Sequence, residues 1–171
     1  LLDKYEKSVE FQRESIFAHV KEPWLRSWDK ESQLGNLFAD AFKNSTDADF
    51  SILNPGAIRI DWAAGNLSEY RIFRTIPFEN KVSTIEVNGA ELKKILTVLQ
   101  AGKYGYYPVS GLVLEIIAKE RQLISVRKTN GEELNDKQTY VLSGTDFLFN
   151  GGDDFSEVLK FYKPRNMKPF M

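Results

Sequence analysis

Cysteine is missing from the sequence, and histidine occurs once, at His19, in a chain of 171 residues. Without cysteine the chain can form no disulfide bond, no catalytic thiolate and no cysteine-ligated metal site. Zinc and di-metal hydrolytic centres use several imidazole ligands, which a single histidine cannot supply. We therefore predict no catalytic residue, cofactor or metal ligand in this chain, and we expect His19 to be structural.

An excess of charge is also missing. The 23 Lys and Arg residues nearly balance the 24 Asp and Glu residues, and the net charge is −1. A protein that binds a nucleic acid backbone usually carries a basic excess, so nucleic acid is not an expected partner. No apolar run reaches the length of about 18 residues that a transmembrane helix needs. Residues 1–7 are too charged for a signal peptide, so we expect a chain that was trimmed or that begins inside a longer one.

Aromatic residues are plentiful by contrast, with 12 Phe, 7 Tyr and 3 Trp. This content, with a hydrophobic fraction of 42%, argues against disorder and leaves rings available for a binding surface. The length suits one domain with a buried core. We predict a single domain over residues 1–171, with a lead-in segment at 1–14 and a tail at 164–171.

The spacing of apolar residues predicts interleaved helices and strands. Helical spacing is present at 32–43 and at 92–99, and the second helix is preceded by a capping box of Asn88 and Glu91. Ser68 can cap a short helix over 69–74, and a last short helix is predicted from Phe155 onward. Strands are predicted at 15–20, 49–53, 58–62, 82–87, 112–118, 123–128 and 140–143.

Turn residues connect these elements. Residues 64–66 and Asn130-Gly131 predict turns, and residues 147–154 predict a loop rich in Gly and Asp. Several strand pairs are joined by short turns, whereas helices separate the others. We therefore predict an α+β fold, a mixed α/β layered sandwich, and not a doubly wound parallel sheet.

Four local patterns occur in a fixed order along the chain. Each is weak alone, since Gly-Gly-Asp by itself is only a turn, but the four occurring together in this order are specific. They are Glu31-Ser32-Gln33-Leu34-Gly35-Asn36-Leu37-Phe38-Ala39-Asp40-Ala41, Asn54-Pro55-Gly56-Ala57-Ile58-Arg59, Pro77-Phe78-Glu79-Asn80, and Thr145-Asp146-Phe147-Leu148-Phe149-Asn150-Gly151-Gly152-Asp153-Asp154-Phe155.

Together these patterns resemble the carboxy-terminal domain of the 5′-nucleotidase family, from about residue 15 to about residue 155. The resemblance implies the layered sandwich of that domain and a role in nucleotide or nucleoside recognition. It also implies a metallophosphatase domain, on the same chain or on a partner chain, whose pair of divalent metal ions performs the hydrolysis. We accordingly expect this chain alone to be inactive, and we expect a periplasmic or extracellular location.

In the resembled family two aromatic rings enclose the base, and the matching residues are Phe78 and Phe147. A flat ring can stack on any nucleobase, although each Phe taken alone equally suits core packing. Asp153 matches the acid that accepts hydrogen bonds from the ribose hydroxyls, with a simple turn Asp as the alternative. Gly151 and Gly152 would let the backbone approach the ligand closely.

The remaining expected contacts are amides and cations. Asn54 and Asn80 match family residues near the base or sugar, and Arg59 matches the arginine at the ribose or phosphate end. A surface position remains the alternative for Arg59. A further basic residue usually precedes the first pattern, and Arg26 and Lys30 are the two candidates for a phosphate contact.

The sequence departs from the family pattern in three places. Pro55 replaces a small residue, whereas Glu79 and Asp154 stand where glycine is usual. Both acids are expected to place carboxylates near a site meant for an anion, which favours neutral nucleosides. Two alternatives therefore stay open: a nucleoside-binding module or scaffold without catalysis, and a relative that acts on a non-nucleotide substrate.

Overall fold

Nine strands and five α-helices are present in the computed structural model, which describes residues 15–169. The predicted lead-in at 1–14 lies outside the described residues. In chain order the elements are β1 (Ile16–Val20), α1 (Gln33–Thr46), β2 (Phe50–Ile52), β3 (Gly65–Ser68), α2 (Glu69–Thr75), β4 (Val82–Asn88), α3 (Gly89–Ala101), β5 (Val109–Ser110), β6 (Leu112–Ile117), β7 (Gln122–Lys128), β8 (Thr139–Thr145), α4 (Asp146–Phe149), α5 (Phe155–Val158) and β9 (Arg165–Pro169).

A mixed five-stranded sheet, in the order β5-β2-β8-β4-β9, organises the fold. Strands β2 and β8 run parallel, and the other three pairs are antiparallel. Two smaller antiparallel sheets, β1-β3 and β6-β7, complete it. The predicted mixed α/β fold is confirmed.

The main core lies between this sheet and α3. Alternate residues of β4 are buried, and α3 contributes the apolar stripe of Leu92, Ile95, Leu96 and Leu99, all fully buried. The stripe follows helical spacing, which places its members on one face. The predicted capping box is present: the Asn88 side chain accepts from Glu91 N at 2.8 Å, and the Glu91 carboxylate accepts from Asn88 N at 2.8 Å. A second cluster joins α1 to the segment around Trp62.

Residues 58–62 do not form the predicted strand. Their alternation is real, because Ile58 and Trp62 are buried while Arg59 is exposed. However, the backbone N–H of Arg59 donates to Thr75 at the end of α2, and Trp62 pairs only with Trp24 in an isolated bridge. Residues 58–62 therefore hydrogen-bond to the end of a helix and to a single bridge residue, and not to a neighbouring strand.

Three other segments also differ from the sequence-based prediction. The predicted turn at 64–66 instead leads into β3, which pairs with β1. The predicted loop at 147–154 begins inside α4, because the Thr145 side chain caps this helical turn by accepting from Leu148 N at 3.1 Å. The predicted tail contains β9, an edge strand whose Arg165 forms an ion pair with Glu91 at 2.6 Å.

No helix within residues 15–169 is both long enough and apolar enough to cross a membrane.

Candidate functional site

A cavity of about 310 Å³ lies at the end of the five-stranded sheet where β2 and β8 finish and β4 and β5 begin. Five segments line it, and four of them, all except the one that carries Trp28, reach it because of the strand order. The segments that follow β2 and β8 leave the sheet at the same edge because these strands are parallel. The segments that precede β4 and β5 arrive at this edge because these strands run antiparallel to β8 and β2. The cavity is lined by Trp28, Asn54, Gly56, Arg59, Phe78, Asn80, Tyr104, Phe147 and Asp153.

The two phenylalanines predicted to enclose a base both line this cavity. Phe78 is 45% exposed and Phe147 is 44% exposed, so neither belongs to the hydrophobic core. The guanidinium carbon of Arg59 lies 5.7 Å from the centre of the Phe78 ring, within cation–π range. Large apolar rings left this open to solvent are the kind of surface that a flat ligand can cover.

The Phe147 ring lies directly against Gly152. A Cβ atom at position 152 would be 2.5 Å from Phe147 Cζ, a separation that real Cβ contacts do not show. Gly151 has a φ of +100°, in the left-handed region that favours glycine. The two glycines do not line the cavity. Gly151 allows the left-handed backbone of the turn, and Gly152 leaves room for the Phe147 ring. A close approach of their backbone to a ligand stays a prediction.

Asn54 and Asp153 form the polar part of the cavity. Asn54 Nδ2 donates to Asp153 Oδ2 at 3.0 Å, and Asn54 is only 5% exposed. Its Oδ1 atom is buried and has no hydrogen-bond partner among residues 15–169, which is costly unless a ligand supplies a donor. Asp153 has a φ of +50°. Burial raises the pKa of the Asp153 carboxyl, the hydrogen bond from Asn54 opposes this effect, and the nearby Asp154 adds to it.

Arg59 and Asn80 line the cavity, whereas the two candidate phosphate contacts do not. Arg59 Nη1 donates to Gly56 O at 3.1 Å, which leaves other guanidinium donors available. Arg26 is turned towards Asp61, with Arg26 Nε 3.9 Å from Asp61 Oδ1, and it donates to Ile58 O. Lys30 lines a separate cavity of about 220 Å³. Neither residue lines this cavity in the geometry observed, and a phosphate contact by either of them stays a prediction.

Three lining residues were missed by the sequence reasoning: Trp28, Gly56 and Tyr104. Gly56 lies inside a recognised pattern, and Tyr104 lies in a visible aromatic loop. Trp28 stands between the two basic candidates, in the polar run Arg26-Ser27-Trp28-Asp29-Lys30. A tryptophan within a polar run does not belong to the apolar face of a helix or strand, and this feature could have indicated a binding residue.

The two acids expected near the site, Glu79 and Asp154, are not lining residues of the cavity. Asp154 is 5% exposed, and its carboxylate accepts from the backbone N–H groups of Lys103 at 3.3 Å and Tyr104 at 3.2 Å. It is therefore occupied within the fold, and it does not line the cavity. Glu79 is exposed and is likewise not a lining residue. The negative charge at the cavity wall comes from Asp153 alone among the lining residues of the described chain.

His19 lies on the surface, with Nδ1 3.2 Å from Asn66 Oδ1. Over residues 15–169, no group of three or more His, Asp or Glu side chains is arranged to hold a metal ion. The described side chains thus do not fit a hydrolytic metal pair.

Residues 16–160 match the family model described as 5′-nucleotidase, C-terminal domain. The chain belongs to this family, which confirms the resemblance seen in the four patterns. It is 30% identical over 156 residues to a cell wall protein of Listeria monocytogenes, covering 77% of this chain and 19% of that protein. It is also 30% identical over 130 residues to the UshA protein of Escherichia coli, covering 75% of this chain and 23% of that protein.

The fold matches that of a solved 5′-nucleotidase precursor from Thermus thermophilus. The TM-score is 0.82 at 22% identity, over 98% of this chain and 36% of that chain. The likeness at this identity concerns the fold. The present chain thus spans about a fifth of the two sequence relatives and about a third of the solved structure.

Proposed function

We propose that this chain is the nucleotide- or nucleoside-recognition domain of a 5′-nucleotidase-like metallophosphoesterase. The observation that carries the proposal is one cavity in which two half-exposed rings, Phe78 and Phe147, stand beside the hydrogen-bonded pair Asn54 and Asp153. Apolar walls with a few convergent polar groups are typical of small-molecule sites.

The rings bind the base in this account. A purine or pyrimidine stacks on an aromatic face regardless of its hydrogen-bonding pattern, and such stacking contributes about 1–3 kcal/mol per base. Arg59, whose guanidinium carbon lies 5.7 Å from the centre of the Phe78 ring, presents a planar set of donors at the cavity wall. These donors suit the oxyanions of a phosphate group at the ribose end.

The polar pair binds the sugar. An ionised carboxylate only accepts hydrogen bonds, so Asp153 suits the two hydroxyl donors of a ribose. The buried Asn54 Oδ1 offers a further acceptor whose partner a ligand would supply. Asn80 is the remaining amide of the cavity wall and is assigned to the base.

Hydrolysis belongs to a metallophosphatase domain on the same or a partner chain. The described residues do not fit a metal pair, so their part is to hold the nucleoside and to orient it. On this account the chain alone releases no phosphate from AMP, and metal-dependent release by the pure domain would contradict the proposal. A place outside the cytoplasm is part of the proposal, and one relative is named a cell wall protein.

The rival account is a nucleoside-binding module without catalysis. Its support from the sequence was the lack of metal-ligating residues together with the pair of acids Glu79 and Asp154, which were expected to disfavour a phosphate. Neither side chain lines the cavity, which weakens the part of this support that rests on the acids, whereas the lack of a metal-binding group among residues 15–169 is compatible with both accounts.

Nucleotide turnover by the full enzyme, or by this domain recombined with its metallophosphatase domain, tests the proposal. Phe78→Ala combined with Phe147→Ala is expected to abolish most turnover while the domain stays folded. The matched control replaces two phenylalanines outside the cavity, Phe73 at 59% exposure and Phe161 at 51%, and should leave turnover unchanged. Unchanged turnover after loss of Phe78 and Phe147 would refute the proposal.

A further inference from the structure

Residues 102–107 form a connection between α3 and β5 that is held by an unusual number of polar contacts. The Asp154 carboxylate accepts from Lys103 N and Tyr104 N, and Asp154 N donates to the Tyr107 hydroxyl at 3.2 Å. The buried Gln100 side chain bonds the Tyr107 backbone in both directions, at 2.9 Å and 3.2 Å.

The same connection fixes Trp28. Tyr106 N donates to Trp28 O at 2.7 Å. Gly105 has a φ of +106°, and a Cβ atom there would overlap Trp28 O, so the close approach requires glycine. Arg121 adds a further brace by donating from its guanidinium to Gly105 O and to Gln100 O.

This rigid arrangement leaves two rings uncovered. Trp28 is 45% exposed, Tyr104 is 36% exposed, and both line the cavity that holds Phe78 and Phe147. The Lys103 ammonium lies 5.2 Å from the centre of the Tyr104 ring. The hydrogen bonds of the buried Asp154 and Gln100 side chains therefore hold a connection whose exposed rings line the cavity.

We propose that the rings of Trp28 and Tyr104 form an aromatic wall of the cavity, in addition to Phe78 and Phe147, and that this wall contacts the bound nucleoside. Asp154 is the residue that positions this wall. The inference rests on the proposed function, because it takes a nucleoside as the occupant. Asp154 acts through the 102–107 connection and does not touch the ligand itself. The wall adds aromatic surface to that of Phe78 and Phe147. Its loss should weaken nucleoside binding, because less ring area then contacts the ligand.

The test is calorimetric affinity for adenosine and uridine, measured on the whole chain. Trp28→Ala and Tyr104→Ala should each weaken binding about fivefold or more, as loss of one stacking partner does. Asp154→Ala should weaken it comparably in the native chain and should have no further effect once Trp28 and Tyr104 are both replaced. If Asp154→Ala fails to fold, Asp154→Asn, which keeps one acceptor oxygen, enters the same comparison.

Asp49→Ala is the matched control, because the Asp49 carboxylate also accepts from a backbone N–H, that of Val141 at 2.8 Å, away from the cavity. It should leave affinity unchanged. If Trp28→Ala and Tyr104→Ala both bind nucleoside with native affinity, the aromatic wall is refuted. If the Asp154 substitution weakens binding just as much in a chain that lacks both rings, the positioning role of Asp154 is refuted. If the native chain binds neither nucleoside, the proposed function fails first and this inference fails with it.

Discussion

Asn54 and Asp153 are 99 positions apart in sequence, yet Asn54 Nδ2 lies 3.0 Å from Asp153 Oδ2. This bond joins the segment that follows β2 to the turn that follows α4. It exists because β2 and β8 are parallel neighbours, so that both segments emerge at one edge of the sheet. The bond orients the carboxylate that we assign to the ribose.

Ribonucleoside affinity should depend on pH through Asp153. Burial raises the pKa of its carboxyl above the ordinary value. The ionised form is the one that accepts from two hydroxyls, so affinity is retained above the raised pKa and is lost as the pH falls through it. Adenosine binding, followed by calorimetry from about pH 8 to about pH 4, should weaken before ordinary Asp side chains titrate.

Two controls isolate this effect. Asp153→Asn should lower affinity by about 1.5–3 kcal/mol, the usual contribution of a hydrogen bond to a charged group, and should flatten the profile. The same should hold for 2′,3′-dideoxyadenosine with the native chain, because it lacks both hydroxyls. A profile that is identical for adenosine and its dideoxy analogue would remove Asp153 from the sugar contact.

Gly152→Ala should weaken nucleoside binding about fivefold or more, because the added Cβ displaces the Phe147 ring from its place against the turn. Gly131→Ala serves as the control. Gly131 has a φ of +88° but nothing within 4 Å of an added Cβ, so its replacement strains the backbone without displacing a ring. It should lower thermal stability and leave affinity alone. Equal effects of the two substitutions on affinity would contradict the role given to Gly152.

Arg59→Gln should reduce affinity for AMP by about tenfold and affinity for adenosine by much less, since the guanidinium is assigned to the phosphate end. Arg26→Gln is the matched control, because Arg26 is engaged with Asp61 outside the cavity. Paired titrations of both variants with AMP and adenosine check this. A larger loss from Arg26→Gln than from Arg59→Gln would show that the phosphate end lies elsewhere.

The cavity residues that lie in short family-like patterns could be predicted from the sequence through the resemblance to the family, because each phenylalanine taken alone equally suits core packing. Asn54, Arg59, Phe78 and Phe147 each lie in a short pattern next to a predicted strand or turn, and all four line the cavity. The main helix of the core was also predictable, because its apolar residues repeat with helical spacing.

Long-range pairing could not be predicted in the same way. Asp154 looked like a free acid because its partners, Lys103 and Tyr104, are 51 and 50 positions away. Trp28 enters the cavity wall through a backbone bond to Tyr106 that no local pattern encodes. Strand β9 carries few apolar residues, and its place depends on pairing with β4.

We expect this domain itself to hold the nucleoside between Phe78 and Phe147. The most direct measurement is a calorimetric titration of the purified chain with adenosine, AMP and a UDP-sugar, without metal, repeated with Phe147→Ala. The account predicts saturable binding of at least one of these compounds and a loss of about 1–3 kcal/mol in the variant. Absence of binding to all three, or equal binding by the native chain and the variant, would contradict it.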